Sequence, residues 1–297
     1  VTGSATPRDR PVELVGRSTG SSACTTLPDA AQQLAIDLAC EAARSIDTVR
    51  ATAVTTKAHP ADLVTELDTR IELDVRDRLL GAFPDHRLIG EEFGAGGNER
   101  AAFTWYCDPV DGTTNYANDL GWSAFSLCCT DADGPLLGVV THPVRRELVL
   151  ARRGGGAWRW RLDDDYRLTG EPARLAASST ATLAGTVFTT ELLAHLPWPG
   201  MFPMIDELAA RSCTARILGS SALTLLQVAA GRAAGAVIST FSPIDNLASI
   251  LAGLEAGAVC LDSDGHATTG PAAGGVLLAA PQVAEELSAI WRNALAD

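Results

Sequence analysis

Apolar residues recur at two different periods along the chain. Over 29–50, Leu34, Leu38, Ala42, Ile46 and Val49 stand three or four apart, which predicts an amphipathic helix. Leu67, Ile71, Val75 and Leu79 repeat the spacing and predict a second helix over 65–83, stopped by Phe83-Pro84-Asp85. His86 to Ile89 reads as a short strand running into Gly90-Glu91-Glu92. Strands are then expected over 104–107, 123–130, 136–142 and 147–151, separated by turn residues such as Asp133-Gly134 and Pro143. That succession predicts an antiparallel sheet. The glycines 154–156 read as a turn, since a dinucleotide fingerprint needs other spacing and a following helix. In the second half, helices over 221–230 and 247–256 alternate with short strands over 186–189, 236–239, 258–261 and 275–279, an α/β pattern. The expected organisation is a flexible tail over 1–27, an α+β domain over 28–172 and an α/β domain over 173–297, with the polar stretch 161–172 as the boundary.

Composition narrows the function classes. A chain of 297 residues can bury a large core, and its apolar fraction of 46% is ordinary for a globular protein. No apolar run approaches the roughly 20 residues that span a bilayer, and the N-terminus carries charges where a secretory signal has an apolar stretch. Membrane partners are therefore not expected. Seven scattered cysteines form no Cys-x-x-Cys, and reduced cysteines in a cytoplasmic protein are the expectation. The net charge of −13 argues against a nucleic-acid surface. The basic residues are 22 arginines and a single lysine, Lys57.

Candidate chemistry begins at Trp105-Tyr-Cys-Asp108-Pro109-Val110-Asp111-Gly112-Thr113-Thr114-Asn115-Tyr116. Carboxylates this close repel one another unless a proton or cation lies between them. Gly112, Thr113 and Thr114 follow with backbone N–H groups and hydroxyls suited to phosphate. Three further segments put acids at the ends of regular elements: Asp62-Leu-Val-Thr65-Glu-Leu-Asp68, Gly90-Glu91-Glu92 and Pro243-Ile244-Asp245. All-oxygen donors suit Mg²⁺, and two cations about 3.5–4 Å apart would suit metal-assisted phosphoryl transfer. A phospho-aspartate mechanism at Asp262-Ser-Asp264-Gly265 or Asp131-Ala-Asp133-Gly134 lacks its downstream lysine, so both read as hairpin turns.

This set, with Lys57 and Gly138-Val-Val140, resembles the inositol monophosphatase family of magnesium-dependent, lithium-sensitive phosphatases. The resemblance implies a layered αβαβα sandwich of the inositol monophosphatase/fructose-1,6-bisphosphatase type. It implies two or three Mg²⁺ per site, the first held by Glu91, Asp108 and the Val110 carbonyl, the second by Asp108, Asp111 and Asp245. Asp68, Thr113 and Glu91 would form the catalytic set, with Asp68 and Thr113 activating water. Gly112, Thr113 and Thr114 would receive the phosphate, and Lys57 would stand in a mobile loop. A homodimer is also implied.

The chain departs from inositol-specific members at the alcohol side. Seven residues before Asp245, where those members place a glutamate, stands Ile238, and Ile244 replaces a tryptophan. Ser220 and Ser221 match a stretch lining the substrate side. The expected activity is phosphomonoester hydrolysis of a sugar, cyclitol, nucleoside or histidinol phosphate. Gly90-Glu-Glu-Phe-Gly94 resembles the histidinol-phosphate phosphatases of the superfamily. The alternatives are an inositol-1-phosphate phosphatase proper, or a catalytically silent protein on the same fold.

Overall fold

The computed structural model describes residues 27–51, 54–56, 63–193 and 195–296; the expected tail, Lys57 and Asp62 lie outside them. The two amphipathic segments form α1 (Asp29–Thr48) and α2 (Glu66–Ala82). Between them a short hairpin pairs β1 (Val54–Thr56) with β2 (Leu63–Thr65). Next come β3 (Arg87–Gly90), β4 (Gly94–Gly97), β5 (Thr104–Asp111), the short helix α3 (Thr113–Ala117), β6 (Ala124–Asp131), β7 (Gly134–His142), β8 (Glu147–Arg152), β9 (Gly156–Leu162) and β10 (Leu168–Arg174). These strands build one eight-stranded sheet in the order β10-β9-β8-β7-β6-β5-β3-β4, antiparallel except for the parallel pair β3 and β5. The polar stretch 161–172 is thus no linker. It turns the chain so that β10 extends the sheet edge alongside β9, and the change of sheet comes after Arg174.

The remainder contains β11 (Val187–Thr190), α4 (Met201–Ala210), β12 (Thr214–Ile217), α5 (Ser221–Ala229), β13 (Gly235–Ile238), α6 (Pro243–Glu255), β14 (Val259–Asp262), β15 (Val276–Ala279) and α7 (Ala284–Ala296). Its five strands pair in the order β12-β11-β13-β15-β14, with β11 parallel to both of its neighbours.

Four apolar cores bond five layers. In the outermost, Leu38, Ile71 and Leu79 of α1 and α2 share a core with Trp105, Leu127 and Leu150. The opposite face of the same sheet, with Cys128, Val140 and Val149, packs with Leu223, Leu226 and Leu251 of α5 and α6. Those helices turn Leu225, Val228 and Ile250 the other way, toward Ala236 and Leu278 of the five-stranded sheet. The last core joins Phe188, Val237 and Leu277 to Met204, Leu208, Leu287 and Trp291 of α4 and α7. Strand alternation explains the division: Val276 and Leu278 face one core, Leu277 and Ala279 the other. The result is the expected αβαβα sandwich. The six described cysteines are free, and no helix among the described residues is long and apolar enough to cross a membrane.

Candidate active site

β5 does not end at Cys107, as the apolar run suggested, but continues through Asp108 and Asp111. A regular strand sends residues three apart to opposite faces. Pro109 has no N–H for the ladder, and the pairing with β6 slips between Asp108 and Asp111. The slip lets both carboxylates act at one place. Burial, Glu91, Asp111 and Asp245, in that order, push the Asp108 carboxyl well above the usual carboxylate range, and Glu91 shares a side-chain hydrogen bond with it. The ends of β3 and β5 and the first turn of α6 therefore converge four acids. Such an all-oxygen, mutually repelling set fits a hard divalent cation, whose charge would reverse the repulsion.

Asp111 is held differently. Its Oδ2 accepts from the Ser220 hydroxyl and, at 2.8 Å, from the Ala222 N–H. Oδ1 accepts from the Ser221 N–H at 3.1 Å. The carboxylate thus receives the N-terminus of α5, an arrangement favoured by the helix dipole. Burial raises its pKa to about 6, opposed by those hydrogen bonds. Asn115 reinforces the junction, its Nδ2 donating to Trp122 O and Leu218 O, both at 2.8 Å.

Asp68 combines a structural and a site-facing role. As the third residue of α2 it completes a capping box with Thr65, its Oδ2 accepting the Thr65 N–H at 3.0 Å and the Thr65 hydroxyl. Its Oδ1 faces the Thr113 hydroxyl at 3.1 Å, and the Val110 carbonyl lies 3.0 Å from the same hydroxyl. Burial, the largest influence, raises the Asp68 pKa against these hydrogen bonds. Gly112 adopts φ 85°, a left-handed conformation suited to glycine, and no side chain caps the first turn of α3 that follows. A Cβ at Gly112 would also meet Gly219 O at 2.7 Å and Trp122 O at 2.8 Å.

On the expected substrate side the placement differs from the sequence reading. Ser220 is 1% exposed; its hydroxyl is committed to Asp111 and to capping α5 by accepting from Leu223 N. Ser221 is likewise tied to Asp111 and accepts from Asn246 Nδ2 at 3.0 Å. Ile238 is 5% exposed and belongs to the core that includes Leu225, Val228 and Ile250. An apolar side chain at the end of β13 is drawn into the adjoining core rather than left as an open wall.

Two acids, Glu72 buried and Glu191 half-buried, were missed in the sequence. Glu72 of α2, fully buried, accepts from the Glu92 N–H at 2.6 Å and the Phe93 N–H at 3.1 Å. Glu191, just beyond β11, accepts from Gly219 N at 2.8 Å and from the Thr224 hydroxyl, and burial pushes its pKa up to about 7. The only sequence signal for Glu72 was an acid on the apolar face of an amphipathic helix, one position from Ile71. The Asp262 and Asp133 segments are turns, as expected. Asp262 Oδ1 accepts from Asp264 N and His266 N, and Asp131 Oδ1 accepts from Asp133 N.

Comparison with known proteins places the chain in a family. A sequence model of the inositol monophosphatase family matches residues 24–295. A Nus factor SuhB of Pasteurella multocida is 33% identical over 240 residues, covering 78% of this chain and 84% of that protein. A fructose-1,6-bisphosphatase/inositol-1-monophosphatase of Thermotoga maritima is 32% identical, covering 69% and 73%. Among solved structures, an IMPase of Thermotoga maritima superposes with a TM-score of 0.77 at 26% identity, covering 89% of this chain and 98% of its own. The acids that converge in space are thus carried on a fold shared with these proteins, and the chain belongs to the inositol monophosphatase family.

Proposed function

We propose that the chain is a Mg²⁺-dependent phosphomonoesterase acting on a small phosphorylated metabolite by direct attack of water. The observation that carries this reading is the convergence of Glu91, Asp108, Asp111 and Asp245 beside the Asp68–Thr113 hydrogen bond. In this reading Glu91, Asp108 and the Val110 carbonyl hold one cation, and Asp108, Asp111 and Asp245 hold the second of two or three. Bound there, Mg²⁺ supplies charge neutralisation for phosphoryl oxygens and a lowered pKa for water.

The chain's own groups do the positioning. Asp68 Oδ1 takes the Thr113 hydroxyl hydrogen, so Thr113 Oγ1 presents lone pairs to a water O–H and orients its oxygen toward phosphorus. The Thr113 and Thr114 N–H groups, in the first turn of α3 behind Gly112, donate to the phosphate. Asp111 stays rigid because α5 donates to it, and Glu91 approaches Asp108 from the end of β3. Lys57, which falls between β1 and β2 in the sequence, lies outside the described residues.

A sugar, cyclitol, nucleoside or histidinol phosphate remains the proposed substrate class, since a carboxylate that would accept a hydroxyl hydrogen is replaced by the buried Ile238. The proposal includes cytoplasmic action as a homodimer without nucleic-acid or membrane partners. The Nus factor name borne by SuhB relatives favours a second reading, a protein whose role on this fold is not catalytic.

Phosphate release from a phosphomonoester panel separates the two. We expect release that requires Mg²⁺, stops in EDTA and falls at least about 1,000-fold in Asp108→Asn. A panel with no Mg²⁺-dependent turnover would favour the silent reading, and turnover persisting in EDTA would sink the metal mechanism.

A further inference from the structure

We propose that Glu72, outside the ligand set, is a positioning residue that sets the affinity of the metal site by clamping the turn that carries Glu91. The inference rests on the metal-dependent reading above.

Glu72 lies on α2, one helical turn beyond Asp68, and is fully buried. A carboxylate there is costly to bury unless its oxygens are fully engaged. They are engaged by a turn, not by another helix residue alone. Oε2 accepts the Glu92 N–H at 2.6 Å, Oε1 accepts the Phe93 N–H at 3.1 Å, and Arg76 Nη2 donates to Oε1 at 3.0 Å. Two consecutive N–H groups on one carboxylate fix the plane of the peptide between Glu92 and Phe93, and with it the exit of the chain from β3. Glu91, whose carbonyl forms the peptide that carries the clamped Glu92 N–H, is the acid hydrogen-bonded to Asp108.

Three surrounding features are shaped for the same contact. Gly90 leaves the space Glu72 occupies: a Cβ at Gly90 would stand 2.0 Å from Glu72 Oε1. Arg76 also donates to the Gly94 carbonyl at 2.7 Å, closing the far side of the turn. The backbone of Glu91 donates to Cys107 O at 3.3 Å, so the near side is fixed to β5. The turn is therefore held at three points, two of them, Glu72 and Arg76, from the helix that also carries Asp68, and only Glu72 binds the N–H groups that follow Glu91. Groups that orient metal ligands without touching the metal typically change metal affinity by about 10–100-fold when removed.

A merely structural acid would lower stability and leave metal affinity alone, and this difference is what the test reads. Glu72→Gln preserves shape but sets an amide N–H₂ against one of the two N–H donors. By calorimetric Mg²⁺ titration of the full chain, we expect the half-saturating Mg²⁺ of Glu72→Gln to rise roughly ten-fold or more. The Mg²⁺ dependence of phosphate release should shift in parallel, with kcat at saturating Mg²⁺ within about three-fold of wild type. Glu72→Asp, too short to reach the turn, should reproduce the shift, whereas Arg76→Met, which leaves the carboxylate on both N–H groups, should shift half-saturation much less. A half-saturating Mg²⁺ within two-fold of wild type in Glu72→Gln would overturn the proposal, as would an effect confined to thermal stability. Amide exchange in the wild-type protein supplies an arm independent of folding of the variants. The Glu92 and Phe93 amides should be protected without Mg²⁺, and unprotected amides would refute the clamp. If wild type itself binds no Mg²⁺, the metal-dependent reading fails; if wild type binds and Glu72→Gln binds equally, the clamp alone fails.

Discussion

Single residues show how burial assigns a charge state before any ligand arrives. His142 at the end of β7 is 3% exposed, lies against Trp122 with ring centroids 5.0 Å apart, and neither ring nitrogen has a hydrogen-bond partner. Burial, with Arg145 and Arg232 adding to it and Glu147 opposing, pushes its pKa from 6.5 down to about 4. The unfolded chain therefore binds this proton first as pH falls. The contribution of neutral His142 is complete above about pH 6.5 and is lost as pH drops toward 4. His142→Leu should gain about 2 kcal/mol relative to wild type between pH 7.5 and pH 5, read by urea unfolding at the two pH values. An unchanged difference would mean that the proton finds a partner in the folded state. Residues also mark the limit of what the sequence discloses. Asp108, Asp111, Glu91 and Asp245 were legible because the acid spacing and the element ends are local features. The commitments of Ser220 and Ser221 were not, because their partner Asp111 is 109 and 110 positions away. Ile238 was legible as a lost carboxylate but not as a core residue, since only the packing of α5 and α6 decides which way it turns.

At the scale of elements, α6 links a packing contact to Asp245, which we propose as a metal ligand. Gly138 in the middle of β7 faces Ala248, and an added Cβ would stand 2.9 Å from Ala248 Cα and 3.0 Å from its carbonyl oxygen. The obstructing atoms are backbone, so the helix itself must move. Ala248 is three residues after Asp245 and shares its face of α6. Gly138→Ala should destabilise by about 1–3 kcal/mol and raise the half-saturating Mg²⁺, checked by urea titration and calorimetry on one preparation. Loss of stability without a change in Mg²⁺ binding would show that α6 yields away from its first turn. The first two helices and the central strands could be read from periodicity, within a few residues of their ends. The missed elements had weaker local signals. β4 is Gly94–Gly97, three glycines and an alanine, and β10 is exposed along most of its length. Both are strands because an edge was open to pair with, which is a tertiary fact. α7 is different: Leu287, Ile290, Trp291 and Ala294 carry helical spacing that a longer reading window would have caught.

For the whole molecule, α5 and α6 form a shared middle layer, apolar on two faces, with each face belonging to a different sheet's core. Neither sheet can lose that layer without exposing the other, so the two should unfold together despite the expectation of two domains. Native-state hydrogen exchange should give the slowest amides of β6 and β15 the same opening free energy and the same denaturant slope. A distinctly lower value in either sheet would show independent units.

The hydrogen bonds from Ser220, Ser221 and Ala222 to Asp111 also order events during synthesis. When β5 leaves the ribosome, Asp108 and Asp111 emerge near Glu91 while the donors from α5 and the carboxylate of Asp245 are more than 100 residues from being made. Until then the acids face one another without the helix terminus that steadies Asp111. The acidic centre is complete only with the last third of the chain, once the middle layer has closed over the first sheet.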